Sequence, residues 1–422
     1  MILHVPRILL PKNHWEEWAV IACDQHTQDM DYWKRVEKFV GDTPSTLNLI
    51  YPEIYLPLEE NRINKIHEAI KDSKNYLVDH GPCFVLVKRS VAGKERTGLV
   101  ATVDLEGYEF NGSESFIRPT EGTIKERLPA RVRIRENAEL EFSHILVLYD
   151  DPAFSIIPRK IDPLITEDSR LYDFDLMEDG GHITGYKLSD KAKIKEISDK
   201  IEKLGLLFVG DGNHSLAAAK TFWENIKGTV PQTHPARYAM VELVNIHDPG
   251  LSFEPIHRVV TGVEPETFLK KFNARIEEMS SCDLVSEFLK KNSEEALDKN
   301  KNSNTNLEEK ALISRPSGTC HFVGFVTKKR CGILIFDSPE HDLAVETLDE
   351  IIDAYKIEYE HDPQIVEKLG SMDENVGFFL PTLKKEEFFS LIKKKGVLPR
   401  KSFSIGKENE KRYYIEARKI VL

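Results

Sequence analysis

Apolar residues recur at helical spacing in some stretches of this chain and gather into short β-prone runs in others. Ile63, Ile66, Ile70 and Leu77 share one face of a helix predicted over 59–79. The same periodicity predicts helices over 32–40, 190–204, 264–279, 345–355 and 384–395. Strand candidates are 18–23, 48–56, 143–149, 237–244, 378–380 and 413–417. Pro52 demotes the second of these to an edge or an irregular piece. Residues 83–88 and 96–105 read as a strand pair around Gly93, and 320–327 with 330–337 as a hairpin around Lys328-Lys329. Between 151 and 189 the sequence reads as irregular and Pro-containing.

Interleaved helices and strands of this kind predict a mixed α/β (α+β) fold. The texture changes near 255–262. We therefore expect an N-terminal α/β domain over 1–255 and a C-terminal α+β domain over 256–422. Residues 290–310 are polar, Asn-rich and poor in apolar anchors, which predicts a mobile insertion. No internal repeat is visible.

The 422 residues suffice for two or three domains with ample core. A net charge of −12 argues against nucleic acid as the main partner, since duplex binding needs a concentrated basic face. Cys23, Cys83, Cys282, Cys320 and Cys331 are scattered, with no Cys-x-x-Cys pair, which predicts reduced thiols in a cytoplasm. No run approaches the roughly 18 apolar residues of a membrane span, and 1–15 lacks a signal-peptide core. The expectation is a soluble cytoplasmic protein with a small-molecule partner, neither nucleic acid nor membrane. Composition is silent on the oligomeric state.

The most informative stretch is Phe208-Val209-Gly210-Asp211-Gly212-Asn213-His214-Ser215. An apolar run over 204–209 stops at Gly-Asp-Gly, and Leu216, Ala219, Trp223 and Ile226 then recur at helical spacing. A strand thus delivers an acid, an amide and an imidazole onto the first turn of a helix. The N–H groups and positive dipole end there attract anions, phosphate above all. Glycines at 210 and 212 would let the backbone turn and a ligand approach. The plainer alternative is a strand-to-helix turn with Asn213 as its N-cap.

Other candidates surround this motif. Arg118, Lys125, Arg127, Arg131, Arg133 and Arg135 form a basic stretch, either a solvated face or an anion pocket. In a strand, the last three would point the same way; Glu136, Glu139 and Glu141 stand ready to neutralise them. Arg118, in a loop before Glu121-Gly122, is the better ligand contact. Asp24 and Asp150-Asp151 end predicted strands, where ligand sites of open sheets gather; turn acids satisfying backbone donors look the same in sequence. His257-Arg258 opens another strand and is either a phosphate contact or an edge. No Walker loop, protein-kinase signature, Gly-x-Ser-x-Gly elbow or Gly-x-Gly-x-x-Gly fingerprint is present.

Taken in order, Trp18-Ala19-Val20-Ile21-Ala22-Cys23-Asp24-Gln25, Arg118-Pro119-Thr120-Glu121-Gly122, Asp211-Gly212-Asn213-His214-Ser215, Asp248-Pro249-Gly250, His257-Arg258 and Pro399-Arg400-Lys401-Ser402-Phe403 resemble the family called domain of unknown function 1015. In many relatives the central motif is Asp-Gly-His-His-Arg; here Asn213 and Ser215 replace the first His and the Arg. That motif is similar to the Gly-x-His-Arg turn of the ParB/sulfiredoxin-like superfamily, which holds nucleotide phosphates at a helix start. The superfamily includes a free-serine kinase, sulfiredoxins and CTP-hydrolysing partition proteins. The resemblance implies a ParB/sulfiredoxin-like site region within a larger mixed-sheet body. A Ser hydroxyl cannot replace a guanidinium's charge. Phosphate binding would then rest on His214, the helix start and a distant arginine.

The resulting expectation is a nucleotide-dependent phosphotransferase, a kinase of a small hydroxylated metabolite, using ATP or ADP with Mg²⁺. Phosphates would lie on Gly212, Asn213, His214 and Ser215, with Arg118, Arg131, Arg258 or His257 neutralising charge. Asp211 would hold Mg²⁺, and Asp24 or Glu121 would position or deprotonate the acceptor hydroxyl. Two alternatives stay open: a non-catalytic regulatory protein binding a nucleotide or phosphometabolite, and a metal-dependent hydrolase using Asp150, Asp211, His214 and His257.

Overall fold

The computed structural model describes residues 1–21, 26, 29–52, 59–110, 114–295 and 320–422. These divide into two compact units. The first is Met1–Ser252 with Phe389–Leu398 and Ile405–Leu422; the second is Phe253–Phe388 with Pro399–Ser404. Both are built of helices and mixed or antiparallel strands, so the fold is α+β.

The core of the first unit is a nine-stranded mixed sheet. Eight of its strands run in the order Arg170–Leu176, Gly181–Leu188, Phe84–Val91, Lys94–Asp104, Tyr238–Asn245, Leu146–Tyr149, Leu207–Asp211, Ile117–Pro119, and Leu3–His4 pairs with Lys94–Asp104. Phe84 and Leu86 face one apolar cluster, with Leu207, Leu216 and Trp223; Val85 and Val87 face another, with Val100 and Met240. Both faces are therefore covered, which is why these strands read as continuous apolar runs and not as alternation. Ala92 (φ 49°) and Gly93 (φ 75°) turn the hairpin between Phe84–Val91 and Lys94–Asp104, the positive φ pair a tight hairpin requires.

Several sequence expectations change. The helix predicted over 59–79 is Glu59–Ser73, and Leu77–Pro82 is a strand paired with Arg7–Pro11. Residues 48–52 form no strand: a 3₁₀ turn, Thr46–Asn48, precedes them, and 53–58 lie outside the described residues. At 18–23 the strand shrinks to Val20–Ile21 after a short helix, Trp15–Trp18; residues 22–25 lie outside the described residues. The stretch read as irregular holds the hairpin Arg170–Leu176 with Gly181–Leu188.

The expected second domain, 256–422, is not continuous either. Residues 405–422 complete the first unit: Tyr413–Tyr414 pairs with Val20–Ile21, and Ala417–Lys419 lies between Arg7–Pro11 and Leu140–Phe142. Pairing over so great a sequence distance leaves no local signal.

The second unit carries a six-stranded sheet in the order Arg275–Met279, Cys331–Asp337, Cys320–Val326, Asn375–Phe379, His257–Thr261, Lys356–Glu360. The helix expected over 264–279 is only Pro265–Leu269; Arg275–Met279 is an edge strand of this sheet. The helix Cys282–Glu295 covers the start of the polar insertion, and 296–319 lie outside the described residues. Cys83, Cys282, Cys320 and Cys331 are in no disulfide among the described residues. No helix among the described residues is long and apolar enough to cross a membrane.

Candidate functional site

The strand Leu207–Asp211 runs antiparallel to Leu146–Tyr149 and parallel to Ile117–Pro119. It ends at Gly212, and the site helix, Asn213–Ile226, begins immediately. Gly212, and not Asn213, is the N-cap, at φ 78°, a residue with no side chain to cap the helix. The Leu216 N–H closes the first turn on the Gly212 carbonyl. Leu216, Ala217, Ala218, Phe222 and Trp223 anchor the helix against the sheet.

The glycines do something other than make room for a ligand. A Cβ on Gly210 would lie 2.7 Å from the Ile405 side chain, and one on Gly212 would lie 3.0 Å from that of Ile145 and 3.4 Å from His144 Nε2. The space they leave is filled by the protein itself, which brings His144 against the helix start.

Asp211 is the centre of a small charged cluster. Its Oδ1 accepts from the Gly212 N–H at 2.8 Å, and its Oδ2 lies 3.4 Å from Lys411 Nζ. Burial pushes this carboxyl up, but Lys411, His144 and the Gly212 amide together outweigh it and hold the group below the usual carboxylate range. The His144 ring meets Tyr414, with centroids 4.8 Å apart. His144, Lys411 and Tyr414 were not singled out from sequence, because nothing local marks them.

Lys411 is placed by a buried ionic network. The Arg89 guanidinium donates to the carbonyls of Glu410 (3.0 Å), Lys411 (2.6 Å) and Asn409. The next residue, Arg412, bridges Glu242 (3.3 Å) and Glu416 (2.7 Å), while Arg96 holds Glu242 at 3.0 Å and Tyr172 donates to Glu416 at 2.7 Å. Burial opposes ionisation of Glu242, and Arg96, Arg412 and Arg89 overcome it. Gly98 makes space for the Glu242 carboxylate, since a Cβ there would collide with it at 2.1 Å.

His214 lies in the first turn of the site helix. Its Nε2 accepts from the Ile124 backbone N–H at 3.1 Å. An accepting Nε2 places the proton of the neutral ring on Nδ1. The contact ties the loop after Glu121 to the helix start. Thr120 fastens the same loop, its hydroxyl donating to the Val209 carbonyl at 2.7 Å. The register Phe208↔Arg118 and Val209↔Pro119 carries Glu121 and Asp211 out of the same end of two parallel strands. Asn213 Oδ1 and Thr123 Oγ1, at this helix start and in the loop tied to it, are buried and have no hydrogen-bond partner among the described residues.

The remaining expected residues are placed as follows. Arg118 lies on Ile117–Pro119 and donates through Nε to the Ser115 carbonyl at 3.0 Å. Arg131, Arg133 and Arg135 are on a helix, Leu128–Glu136, not a strand, so Arg133 points away from the face that Arg131 and Arg135 share. Arg131 donates to the Arg127 carbonyl, and Arg135 pairs with Glu141 at 2.7 Å. Ser215 follows His214 in the same turn. Asp24 lies outside the described residues. Arg258 and His257 belong to the second unit. Arg258 is fully buried there, with Nε and Nη2 each 3.0 Å from Asp349. His257 Nδ1 accepts from the Leu380 N–H at 3.1 Å. Asp248 accepts from the Thr97 and Gly250 N–H groups, which makes Asp248-Pro249-Gly250 a structural turn.

Among the described residues no three His, Cys, Asp or Glu side chains are grouped as a metal site. Asp211 faces an ammonium, and Asp150 is bonded to His247 at 2.8 Å. Neither carboxylate therefore stands in a ready-made cluster of metal ligands among the described residues.

A mixed sheet that hands an acid, a glycine cap and a histidine to a helix start defines an α+β protein with a polar strand-to-helix site. The model of the family described as Protein of unknown function (DUF1015) matches residues 6–351, and the chain belongs to that family. No curated protein matches it. Among solved structures, SbnI with C-terminal truncation from Staphylococcus aureus is similar at 12% identity and TM-score 0.37, over 73% of this chain and 82% of that one. A free serine kinase in complex with AMP is similar at 13% identity and TM-score 0.37, over 76% and 92%. A conserved hypothetical protein from Pyrococcus furiosus is similar at 12% and 0.34, over 75% and 94%. Likenesses this remote carry no argument about function.

Proposed function

We propose that this protein is a nucleotide-dependent phosphotransferase acting on a small hydroxylated metabolite, with the nucleotide phosphates at Gly212–Ser215. The observation that carries the reading is the helix start itself. Its N-cap, Gly212, has no side chain to cap it, it carries His214, and the hydroxyl of Thr123, in the loop tied to it, is buried without a hydrogen-bond partner among the described residues. First-turn amides and a hydroxyl of this kind suit phosphate oxygens. An anion there would be repelled by Asp211 were its charge not offset, and Lys411 offsets it at 3.4 Å. Lys411 thus removes a repulsion, while its own charge is balanced by Asp211, so the cation that Ser215 cannot supply falls to Arg118.

In this reading His214 and the amides of 213–215 hold the phosphates and Arg118 adds charge from the adjacent strand. Glu121, leaving the sheet beside Asp211, is the base that positions the acceptor hydroxyl, a role also open to Asp24. Phosphoryl transfer needs mainly alignment and charge stabilisation, which such a constellation provides. Arg258 and His257 have no part in it.

Thermal shift with ATP, ADP and CTP, each with Mg²⁺ in solution, tests the reading. The wild type should be stabilised at millimolar nucleotide. His214→Ala should weaken binding by about tenfold to a hundredfold, the worth of one hydrogen bond to a charged group. No shift for the wild type with any nucleotide would end the proposal. Saturable binding with no phosphoryl product over hours would leave a regulatory binding protein in its place.

A further inference from the structure

Alongside the site helix lies a cavity of about 600 Å³, in the size range of small-ligand pockets. It is bounded by the helices Leu128–Glu136 and Asn213–Ile226 and by Phe110. Nothing in the phosphotransferase reading has used it. We propose that this cavity is the nucleoside pocket of the same site, taking the base and ribose of a nucleotide whose phosphates lie at Gly212–Ser215. The inference rests on that reading and adds where, and through which chemistry, the rest of the nucleotide binds.

Two observations place the cavity next to the phosphate end. Lys125 lines it, and the preceding residue, Ile124, is the one whose N–H is bonded to His214. Thr221 also lines it, seven residues beyond His214 on the same helix. That spacing returns to the same helical face, about 10 Å further along the axis. One face of one helix therefore carries the phosphate-binding histidine at its start and a cavity wall two turns later. This is the separation a ribose and its phosphates span.

The lining selects the occupant. Phe110, Leu128 and Val132 are apolar, suited to the faces of a base. Lys125, Arg133, Glu136 and Thr221 are polar. A wholly apolar ligand such as an acyl chain would make no use of that charged, solvent-exposed rim. A nucleoside has apolar faces, a polar base edge and ribose hydroxyls, for which a carboxylate such as Glu136 is an apt acceptor. The Thr221 hydroxyl donates to the Ala217 carbonyl at 2.8 Å and still presents lone pairs.

The test separates the two ends of the ligand. Calorimetric titration of the full chain compares a non-hydrolysable ATP analogue with inorganic tripolyphosphate. The wild type should bind both, the analogue about tenfold more tightly or better, since each tenfold is only about 1.4 kcal/mol. Thr221→Trp, which fills the cavity, should reduce the analogue to the affinity of tripolyphosphate and leave tripolyphosphate unchanged. Glu136→Gln, at an exposed position, should weaken only the analogue, and decides the matter if the tryptophan variant does not fold. Tripolyphosphate binding with no preference for the analogue, or an analogue affinity that neither variant changes, would overturn the cavity assignment alone. Failure of the wild type to bind either ligand would remove the phosphate site, and this inference with it.

Discussion

At the scale of single residues, the strand-to-helix turn depends on Gly212 and is furnished by His214 and Asp211. Gly212 has φ 78°, and a Cβ there would lie 3.0 Å from Ile145 Cγ1 and 3.1 Å from its Cα. Gly212→Ala should cost about 1–2 kcal/mol from the left-handed conformation alone, more if Ile145 cannot move. Urea denaturation measures this, and an unchanged midpoint would show that the turn relaxes freely. Asp211, His214 and Gly212 were legible in sequence, because a polar cluster after an apolar run has no packing purpose. Their neighbours were not: Lys411 is 200 positions from Asp211, and only the folded chain puts its ammonium 3.4 Å from that carboxylate. The glycines were legible as turn formers, but not as space for Ile405, Ile145 and His144.

At the scale of elements, the segment that carries Lys411 is held by ion pairs more than by strand pairing. The strand Tyr413–Tyr414 contributes only two residues to a ladder, whereas Arg412 alone meets both Glu242 and Glu416. A buried carboxylate stripped of its partner is costly. Arg412→Met should therefore destabilise the first unit by about 3–5 kcal/mol, read from chemical denaturation, and should loosen Lys411 from Asp211. A loss below about 1 kcal/mol, the level of an exposed pair, would mean the network is solvated. Long amphipathic helices such as Lys191–Leu204 and strands with both faces buried were legible, since their periodicity or continuous apolarity is local. The hairpin Arg170–Leu176 with Gly181–Leu188 was not. Its first strand does carry a local signal, buried Tyr172, Phe174 and Leu176 alternating with the exposed Asp173 and Asp175 that both bond His182, which a search for continuous apolar runs passes over. The basic run 128–136 alternates in sequence like a strand, yet Leu128, Ala130 and Val132 are buried on a helix packed against the site helix.

At the scale of the whole molecule, the family match ends at 351, but the first unit needs residues 405–422 to close its smaller sheets and seat Lys411. The second unit carries its own pH sensitivity. Burial first, then Arg258 and His361, push His257 down to about 3 from 6.5. The folded chain therefore refuses a proton that the unfolded chain accepts below about pH 6.5. Stability from this group is present above that pH and falls as the pH drops toward 3, by about 2 kcal/mol at pH 5. His257→Asn should flatten that part of the decline, as measured by urea midpoints of wild type and variant between pH 7 and pH 5. Parallel curves would show that His257 takes up its proton without unfolding.

The sequence by itself determined the class of the fold, the strand-to-helix turn at 208–215 and the chemistry available there, because each depends on residues close together in the chain. Only the tertiary structure decided that the last residues return to the first unit, that Lys411 and His144 flank Asp211, and that Arg258 and His257 are engaged in a separate unit. Those outcomes come from strand pairings and buried ion pairs between residues far apart in sequence. Such contacts form only when both partners lose water together, and no local pattern records which partners those will be.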